Sequence, residues 1–411
     1  MTFKFLQSVA VVALAACGAA PTSTQAQTAA RPFTVSEVAT FNAPWAMDFL
    51  PGSGLARTAM ALVTEKGGKL WLVDSASGKK VEVTGAPVVR AEGQGGLLDV
   101  VAAPSFAGDG AVYLTFAEPS AGGGSGLALA RARLVDITTR PRLTNLQTIW
   151  RNPTGGQGGH FGARIAFAPD GNSLFLSAGE RQRFSPAQDA SLPMGKVLHL
   201  TLDGKPAAGN PGAGRVGAPS VTVTDPPEDS EEAKKTAGRN FTWPGTNLTP
   251  AETWTTGHRN PLGLAFAPDG NLWEVEMGPK GGDELNLIVK GRNYGYPIVS
   301  NGDNYNDVPI PDHRPGDGFE PPKVFWNPVI SPGGLLIYTG DLFPEWKGDA
   351  LIAALSGKAL VRVDIDGQKA KKAEQWGMGA RIRAVDEGPR GEIYLLEDGP
   401  NGRLLRLEPS R

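Results

Sequence analysis

FAPDGN, residues 167–172, returns unchanged at residues 266–271. Each copy closes one apolar run, ARIAF or LGLAF, and opens another, SLFLSA or LWEVE. Proline presets φ, aspartate bonds its own backbone two residues on, and glycine accepts positive φ, so the trio reverses the chain between two strands. Looser versions occur at MDFLPGSG before ALVTEKGGKLWLVD, LDVVAAPSFAGDG before AVYLTFAE, LLIYTGDLFPEWKG before DALIAALSGKALVRVD, and AVDEGPRG before EIYLLEDGPNGRLLRLE. Six units share the order strand, turn, aromatic-bearing strand, turn, third strand. A unit this small cannot bury both faces alone, so the units must stack, and radial stacking of small antiparallel sheets is a propeller. The expected fold is all-β: a six-bladed β-propeller of four-stranded antiparallel blades over residues 32–411. The acidic, proline-rich segment Asp225–Gly238 breaks the rhythm and reads as a surface excursion within one blade.

Composition agrees with this reading. The chain has 411 residues, and its 54 glycines and 34 prolines are too many for a helical protein. Its 40 basic and 42 acidic side chains leave a net charge of −2, which provides no global field for nucleic acid or an anionic membrane.

The N-terminus carries Lys4, an apolar run from Phe5 to Ala16 and then small residues, the pattern of an export signal and too short to span a bilayer as a helix. Leu14-Ala15-Ala16-Cys17-Gly18 resembles a bacterial lipobox, and Cys17 is the only cysteine, so an intramolecular disulfide is excluded. Residues 1–17 are therefore read as a signal peptide of lipoprotein type, with Cys17 lipidated, and residues 18–31 as a flexible tether. The alternative is an ordinary signal peptide cut before Arg31. Either reading exports the mature chain, and the first anchors it at the periplasmic face of a membrane.

Polar residues that break the pattern fall just ahead of the strands carrying the Pro/Asp/Gly turns: Gln94, His160, Arg259 with Asn260, Ser331, and Arg381 with Arg383. In a radial array equivalent positions lie at one end of every blade, near the axis, so these residues are expected to converge. An amide, an imidazole and three guanidiniums suit an anionic ligand with chemistry beside it. His160, flanked by glycines, reads as a group at the shared mouth, or more plainly as a hydrogen-bonded histidine at a strand start. His199 reads as a sheet residue, His313 as a loop residue, and His258 as a packing or orienting neighbour of Arg259.

The second cluster is EMGPKGGDELNLIVKGRNYGYP, Glu276 to Pro297. Exposed carbonyls at Gly278 and Pro279, carboxylates at Asp283 and Glu284, and a backbone oxygen at Tyr294 are hard donors of the kind calcium accepts. An acidic turn at a blade rim is the plain alternative, and no His/Cys cluster exists for zinc.

At these residues the chain resembles the soluble pyrroloquinoline quinone (PQQ) glucose and aldose sugar dehydrogenases, from about Phe33 to Glu408. The resemblance is carried by GQGGLLDV, GHFGARIAF, MGKVLHLTLDG, GHRNPLGLAF, EMGPKGGDELN with GRNYGYP, and the Arg381/Arg383 pair. It implies a PQQ- and calcium-dependent oxidoreductase that converts the anomeric hydroxyl of aldoses to lactones. His160 is then the catalytic base, with Arg259 and Asn260 beside the reactive carbonyl. Gln94 makes a polar contact there, and Arg381, Arg383 and Lys358 hold the cofactor's carboxylates. Gly278, Pro279, Glu284 and Tyr294 are the implied calcium ligands. The implied partners are an aldose or alcohol substrate and an unidentified electron acceptor. Two features depart from the family: Gly159 stands where its best glucose oxidisers carry an acidic residue, and Arg181 falls near a family glutamine. Both put glucose specificity in question. A calcium-dependent propeller hydrolase acting on lactones and a non-enzymatic periplasmic sugar-binding propeller are the competing readings.

Overall fold

The structure is a computed structural model and describes residues 30–52, 59–120, 123–153, 155–223 and 239–410. The leader with Cys17, the tether up to residue 29 and the Asp225–Gly238 segment lie outside the described residues. Among the described residues no helix is long and apolar enough to cross a membrane.

Six four-stranded antiparallel sheets succeed one another along the chain. Their innermost strands are Pro44–Phe49, Leu97–Ala102, Gly162–Phe167, Pro261–Phe266, Pro332–Ile337 and Ile382–Glu387, and these touch one another in a closed ring. The sixth blade takes its outer strand from the N-terminus: Phe33–Phe41 pairs antiparallel with Gly402–Pro409, so the two ends of the chain lock the wheel. In the third blade the last two strands, Lys196–Thr201 and Thr253–Thr256, are separated by an insertion whose described part includes the hairpin Ser220–Val223 with Arg239–Thr242.

The repeated hexapeptide folds identically both times. Asp170 Oδ1 accepts the Asn172 amide at 3.0 Å and Gly171, at φ +70°, donates to Ala168 O at 2.8 Å. Asp269, Asn271, Gly270 (φ +87°) and Ala267 repeat these contacts at 3.0 and 2.9 Å. These turns lie at the far ends of the inner strands, so the starts of those strands and the ends of the second strands share the opposite face.

Burial follows strand position. Leu272–Glu276 is buried at every residue, sandwiched between neighbouring blades, whereas the outer strand Lys369–Gly377 is exposed at alternate or successive positions. Adjacent blades pack face to face: Tyr113 and Leu129 of the second blade meet Ile165 and Leu176 of the third, and Tyr113 lies edge-on to Phe167 at 5.2 Å. Each such large apolar side chain contributes about 1.5–3 kcal/mol relative to exposure. Around the axis the strands crowd, which explains glycine there: a Cβ on Gly263 would stand 2.4 Å from Leu335 Cβ of the next inner strand.

Candidate active site

The mouth is shaped by backbone devices that recur from blade to blade. Every inner strand carries a register shift near its start, between Pro44/Met47, Leu97/Val100, Gly162/Ile165, Pro261/Gly263, Pro332/Gly334 and Ile382/Ala384. Ahead of three of them stands a non-glycine residue in left-handed backbone: Ala43 (φ 52°), His160 (φ 48°) and Ser331 (φ 51°). Bulges re-aim side chains at sheet rims, and left-handed strain of this kind gathers at functional sites.

His160 is 6% exposed and its backbone amide donates to Gln94 Oε1 at 2.8 Å. Its Nδ1 is hydrogen-bonded to Glu180 Oε1, which leaves Nε2 as the nitrogen that can take a proton. Glu180 is 1% exposed and also accepts the amides of Arg183 and, at 2.7 Å, Phe184. Burial, with the Arg259 cation next, lowers the His160 pKa below its ordinary value against the opposing pull of Glu180. Burial works against the Glu180 charge, yet His160, the hydrogen bond and Arg259 outweigh it and hold that carboxyl below the usual range. The pair is a neutral imidazole oriented by a carboxylate, the arrangement of a general base.

Beside it lies an axial hollow of about 230 Å³, lined among others by Trp45, Lys66, Gln94, Met277, Arg381 and Arg383. Asp398 sits between the two arginines, 2.9 Å from Arg381 Nε and 3.0 Å from Arg383 Nη2. Burial opposes the Asp398 charge, but Arg383 and Arg381 overcome it and keep the carboxyl low. Burial lowers Lys66, and the neighbouring Arg383 adds to this. Three cations against one carboxylate leave the hollow with a positive excess that suits a polyanionic ligand.

Arg259 is 4% exposed; its Nη1 donates to Gly278 O at 2.7 Å and Met277 O at 3.1 Å, and its buried Nε has no partner. An orphaned guanidinium donor beside a cationic hollow fits a cofactor that presents carbonyl oxygens. Asn260 is fully buried and works as a brace, its Oδ1 accepting the Gly162 amide at 3.2 Å.

Gly278, Pro279, Glu284 and Tyr294 line one small cavity together with Arg259 and Met277, with about 10 Å³ of room, about one water-sized sphere. Met277 lines this cavity and the axial hollow alike. The Tyr294 hydroxyl is bonded to Leu287 O and the Val289 amide, so its main-chain oxygen is the available donor. Burial and then Glu276 push the Glu284 carboxyl well above the usual range, and Glu274, behind it, is raised by the same two causes. Glu274 Oε1 and Asn286 Oδ1 are buried without partners. Glu276 and Glu284 line this pocket together with Arg259, and two close carboxyls against one guanidinium fit a divalent cation. Asp283 does not join this donor set: its oxygens accept the amides of Gly278, Ile330 and Ser331 at 2.6–2.9 Å.

Gln94, His160, Arg259, Asn260, Arg381 and Arg383 thus come from distant stretches to one end of the wheel. Lys358 does not line the hollow. It is exposed on a turn at φ 47°, and Leu355 from that turn takes the lining position. Lys66 supplies the third cation instead. Glu180, Lys66, Asp398 and Met277 escaped the sequence reading, although all four follow the end of a second strand and a rule for that position would have found them. His199 stacks on Phe175 at 4.3 Å as a sheet residue, and His258 bonds Glu276 at 3.1 Å and stacks on Tyr294.

A closed wheel that gathers cations and an oriented imidazole at one end of its axis has the build of a propeller dehydrogenase. The chain belongs to the Glucose / Sorbosone dehydrogenase family, which it matches over residues 41–223 and 236–406. It is 34% identical over 374 residues to aldose sugar dehydrogenase YliI of Escherichia coli, covering 89% of this chain and 90% of that one. Among solved structures it resembles a glucose dehydrogenase (37% identity, TM-score 0.78, covering 92% of this chain and all of that one). It also resembles the PQQ-bound aldose sugar dehydrogenase of Streptomyces coelicolor (27% identity, TM-score 0.68, covering 92% and 98%).

Proposed function

We propose that the protein oxidises the anomeric hydroxyl of aldose sugars to lactones with PQQ and calcium. The observation that carries this is a buried, neutral His160 held by Glu180 at the edge of a hollow with three cations. The names of the relatives support the same cofactor and substrate class. Lys66, Arg381 and Arg383 would hold the carboxylates of PQQ, with Gln94 and Arg259 at its other polar groups. When bound, PQQ supplies an electrophilic quinone carbonyl able to take a hydride from the anomeric carbon. Gly278, Pro279 and Tyr294 main-chain oxygens with Glu284 would hold calcium, which supplies Lewis-acid polarisation.

His160 Nε2 takes the proton of the anomeric hydroxyl, and Glu180 stabilises the imidazolium that results. Arg259 presents fixed positive charge where negative charge develops, without reorganisation. The sugar loses one hydride and one proton and leaves as lactone; the two electrons pass on to an external acceptor.

Substrate choice follows from Gly159. A Cβ there would stand 2.7 Å from the Gln94 amide carbon, so Gln94 fills the space an acidic side chain would need. A broader range of aldoses than glucose, alcohols included, is the consequence. We further place the mature chain outside the cytoplasm, anchored through Cys17; radiolabelled palmitate should enter the wild type and not Cys17→Ser. The central experiment adds PQQ and calcium to purified apo-protein and follows dye reduction over a panel of aldoses. Activity requiring both additions is expected. Hydrolysis of lactones without PQQ, or tight sugar binding without turnover, would refute the proposal.

A further inference from the structure

Three of the six second strands end on a buried glutamate: Glu65 in the first blade, Glu276 in the fourth and Glu397 in the sixth, at 6, 3 and 5% exposure. Each pairs with the first residue of its blade's inner strand, Pro44, Pro261 and Ile382. The residues just ahead of that strand lie outside the ladder, and a buried amide there needs another acceptor.

The three glutamates meet this need unequally. Glu65 accepts one amide, from Asn42 at 2.7 Å, and Glu397 turns to Arg403 of the following strand. Glu276 Oε2 accepts two, from Arg259 at 2.6 Å and Asn260 at 3.2 Å, while its Oε1 meets His258 Nδ1 at 3.1 Å and Asn286 Nδ2 at 3.3 Å. The other ring nitrogen of His258 meets Thr255 Oγ1 at 2.9 Å. One carboxylate thereby holds residues 258–260 together.

The neighbours of this stretch give the contact its consequence. Arg259 O accepts the Glu180 amide at 2.9 Å, and Asn260 Oδ1 accepts the Gly162 amide at 3.2 Å. The stretch therefore reaches the base by two routes, through the carboxylate that orients His160 and through the backbone two residues past it. We infer that Glu276 is a positioning residue: it fixes Arg259 against the His160–Glu180 pair, so that the cation of the fourth blade and the base of the third stay in register. The charged groups facing His160 are Arg259, Glu180 and Arg181. After burial, Arg259 does most to lower the ring's pKa, so a displaced Arg259 must let that pKa rise.

Two variants separate reach from charge. Glu276→Asp keeps the charge and withdraws the carboxylate by one methylene, whereas Glu276→Gln keeps the length and an acceptor oxygen and removes the charge. His160 is titrated by NMR with isotope-labelled histidine in the cofactor-free protein in calcium-free buffer, and aldose oxidation is followed in the loaded enzyme; only the second measurement rests on the dehydrogenase reading above. Glu276→Asp should move the His160 titration to higher pH and lower kcat at least about tenfold, with KM for glucose changed less than about threefold, and Glu276→Gln should stay nearer the wild type in both. A larger effect of Gln than of Asp would make charge the operative property and overturn the inference. So would an unmoved His160 titration in Glu276→Asp beside a lowered Tm, which marks a structural cap. Glu65→Asp, the counterpart that holds one amide, should lower Tm and leave the His160 titration in place; an equal rise there would mark a general loosening of the wheel and overturn the inference as well. A titration that moves as expected in a protein with no PQQ-dependent oxidation would uphold the positioning and overturn the function.

Discussion

His160 and Glu180 form one unit, and their coupling sets a sign that can be measured. The imidazole must be neutral to act, so kcat/KM rises with pH through its pKa, which burial and Arg259 hold below the ordinary histidine value. Glu180 favours the protonated ring, so Glu180→Gln should move the acid limb of the profile to lower pH while also lowering the rate, because the ring loses its orienting partner. His160→Ala should lose about 10²–10⁴-fold in turnover and still bind PQQ. An unmoved acid limb in Glu180→Gln would show that another group controls it. Lys66 and Lys358 separate at the same scale. Loss of a charge-assisted contact typically costs about 1.5–3 kcal/mol, so Lys66→Ala and Arg383→Ala should weaken PQQ binding about tenfold or more, read by tryptophan quenching, and Lys358→Ala should leave it nearly unchanged. The sequence made Arg381 and Arg383 legible because they stand at the start of an inner strand in the repeat register, Arg381 just before it and Arg383 at its second residue. It hid Lys66, Glu180 and Asp398 because these follow the second strand of their blades. Antiparallel pairing brings both kinds of position to one face, but only the strand starts are marked by the repeat register.

The blade as an element was legible where its chemistry is obligatory. Asp170/Gly171 and Asp269/Gly270 build the same turn from the same side-chain and φ requirements, which is why the hexapeptide could be read without coordinates. The fourth strands were not, since each unit reads as three. Lys369–Gly377 carries three lysines and little apolar surface, and Thr253–Thr256 stands beyond a long insertion, so neither shows the buried run that marks a middle strand. Two glycine substitutions divide the roles of glycine here. At Gly270 nothing lies within 4 Å of an added Cβ, so Gly270→Ala should cost only left-handed backbone strain, about 1–2 kcal/mol in urea unfolding. Gly263→Ala has no φ penalty but meets Leu335 and Val275 at 2.4 and 2.6 Å, and overpacking of an axial strand should cost about 1–3 kcal/mol and widen the mouth, with a further loss in PQQ affinity. Equal PQQ affinity in the two variants would separate the axial packing from the site.

Across the whole molecule the axis is divided by one side chain. Arg164 donates to Asp99 at 2.9 Å, to Leu262 O at 2.8 Å and to Gly333 O at 2.6 Å, and lies over Trp45 at 4.1 Å, so a residue of the third blade ties the first, second, fourth and fifth together beneath the hollow. On its far side a second axial space is lined by Asp48, Asp99 and Asp386. Burial, opposed in part by the Ala102 amide, pushes Asp48 up to about 7, and burial with the nearby Asp48 holds Asp386 well above the carboxylate range. These acids therefore keep protons in the folded wheel that the unfolded chain releases near pH 4. Between about pH 4 and 7 Asp48 and Asp386 bind more protons in the folded state than in the unfolded chain, so their contribution to stability falls as pH rises through that window. Thermal unfolding at pH 8 should lie several degrees below that at pH 5, and Asp48→Asn, which stays neutral, should flatten the slope. A Tm that climbs from pH 5 to 8 in the wild type, or an unchanged slope in Asp48→Asn, would mean that these carboxyls are ionised in the folded wheel and that solvent or a cation reaches the far axis.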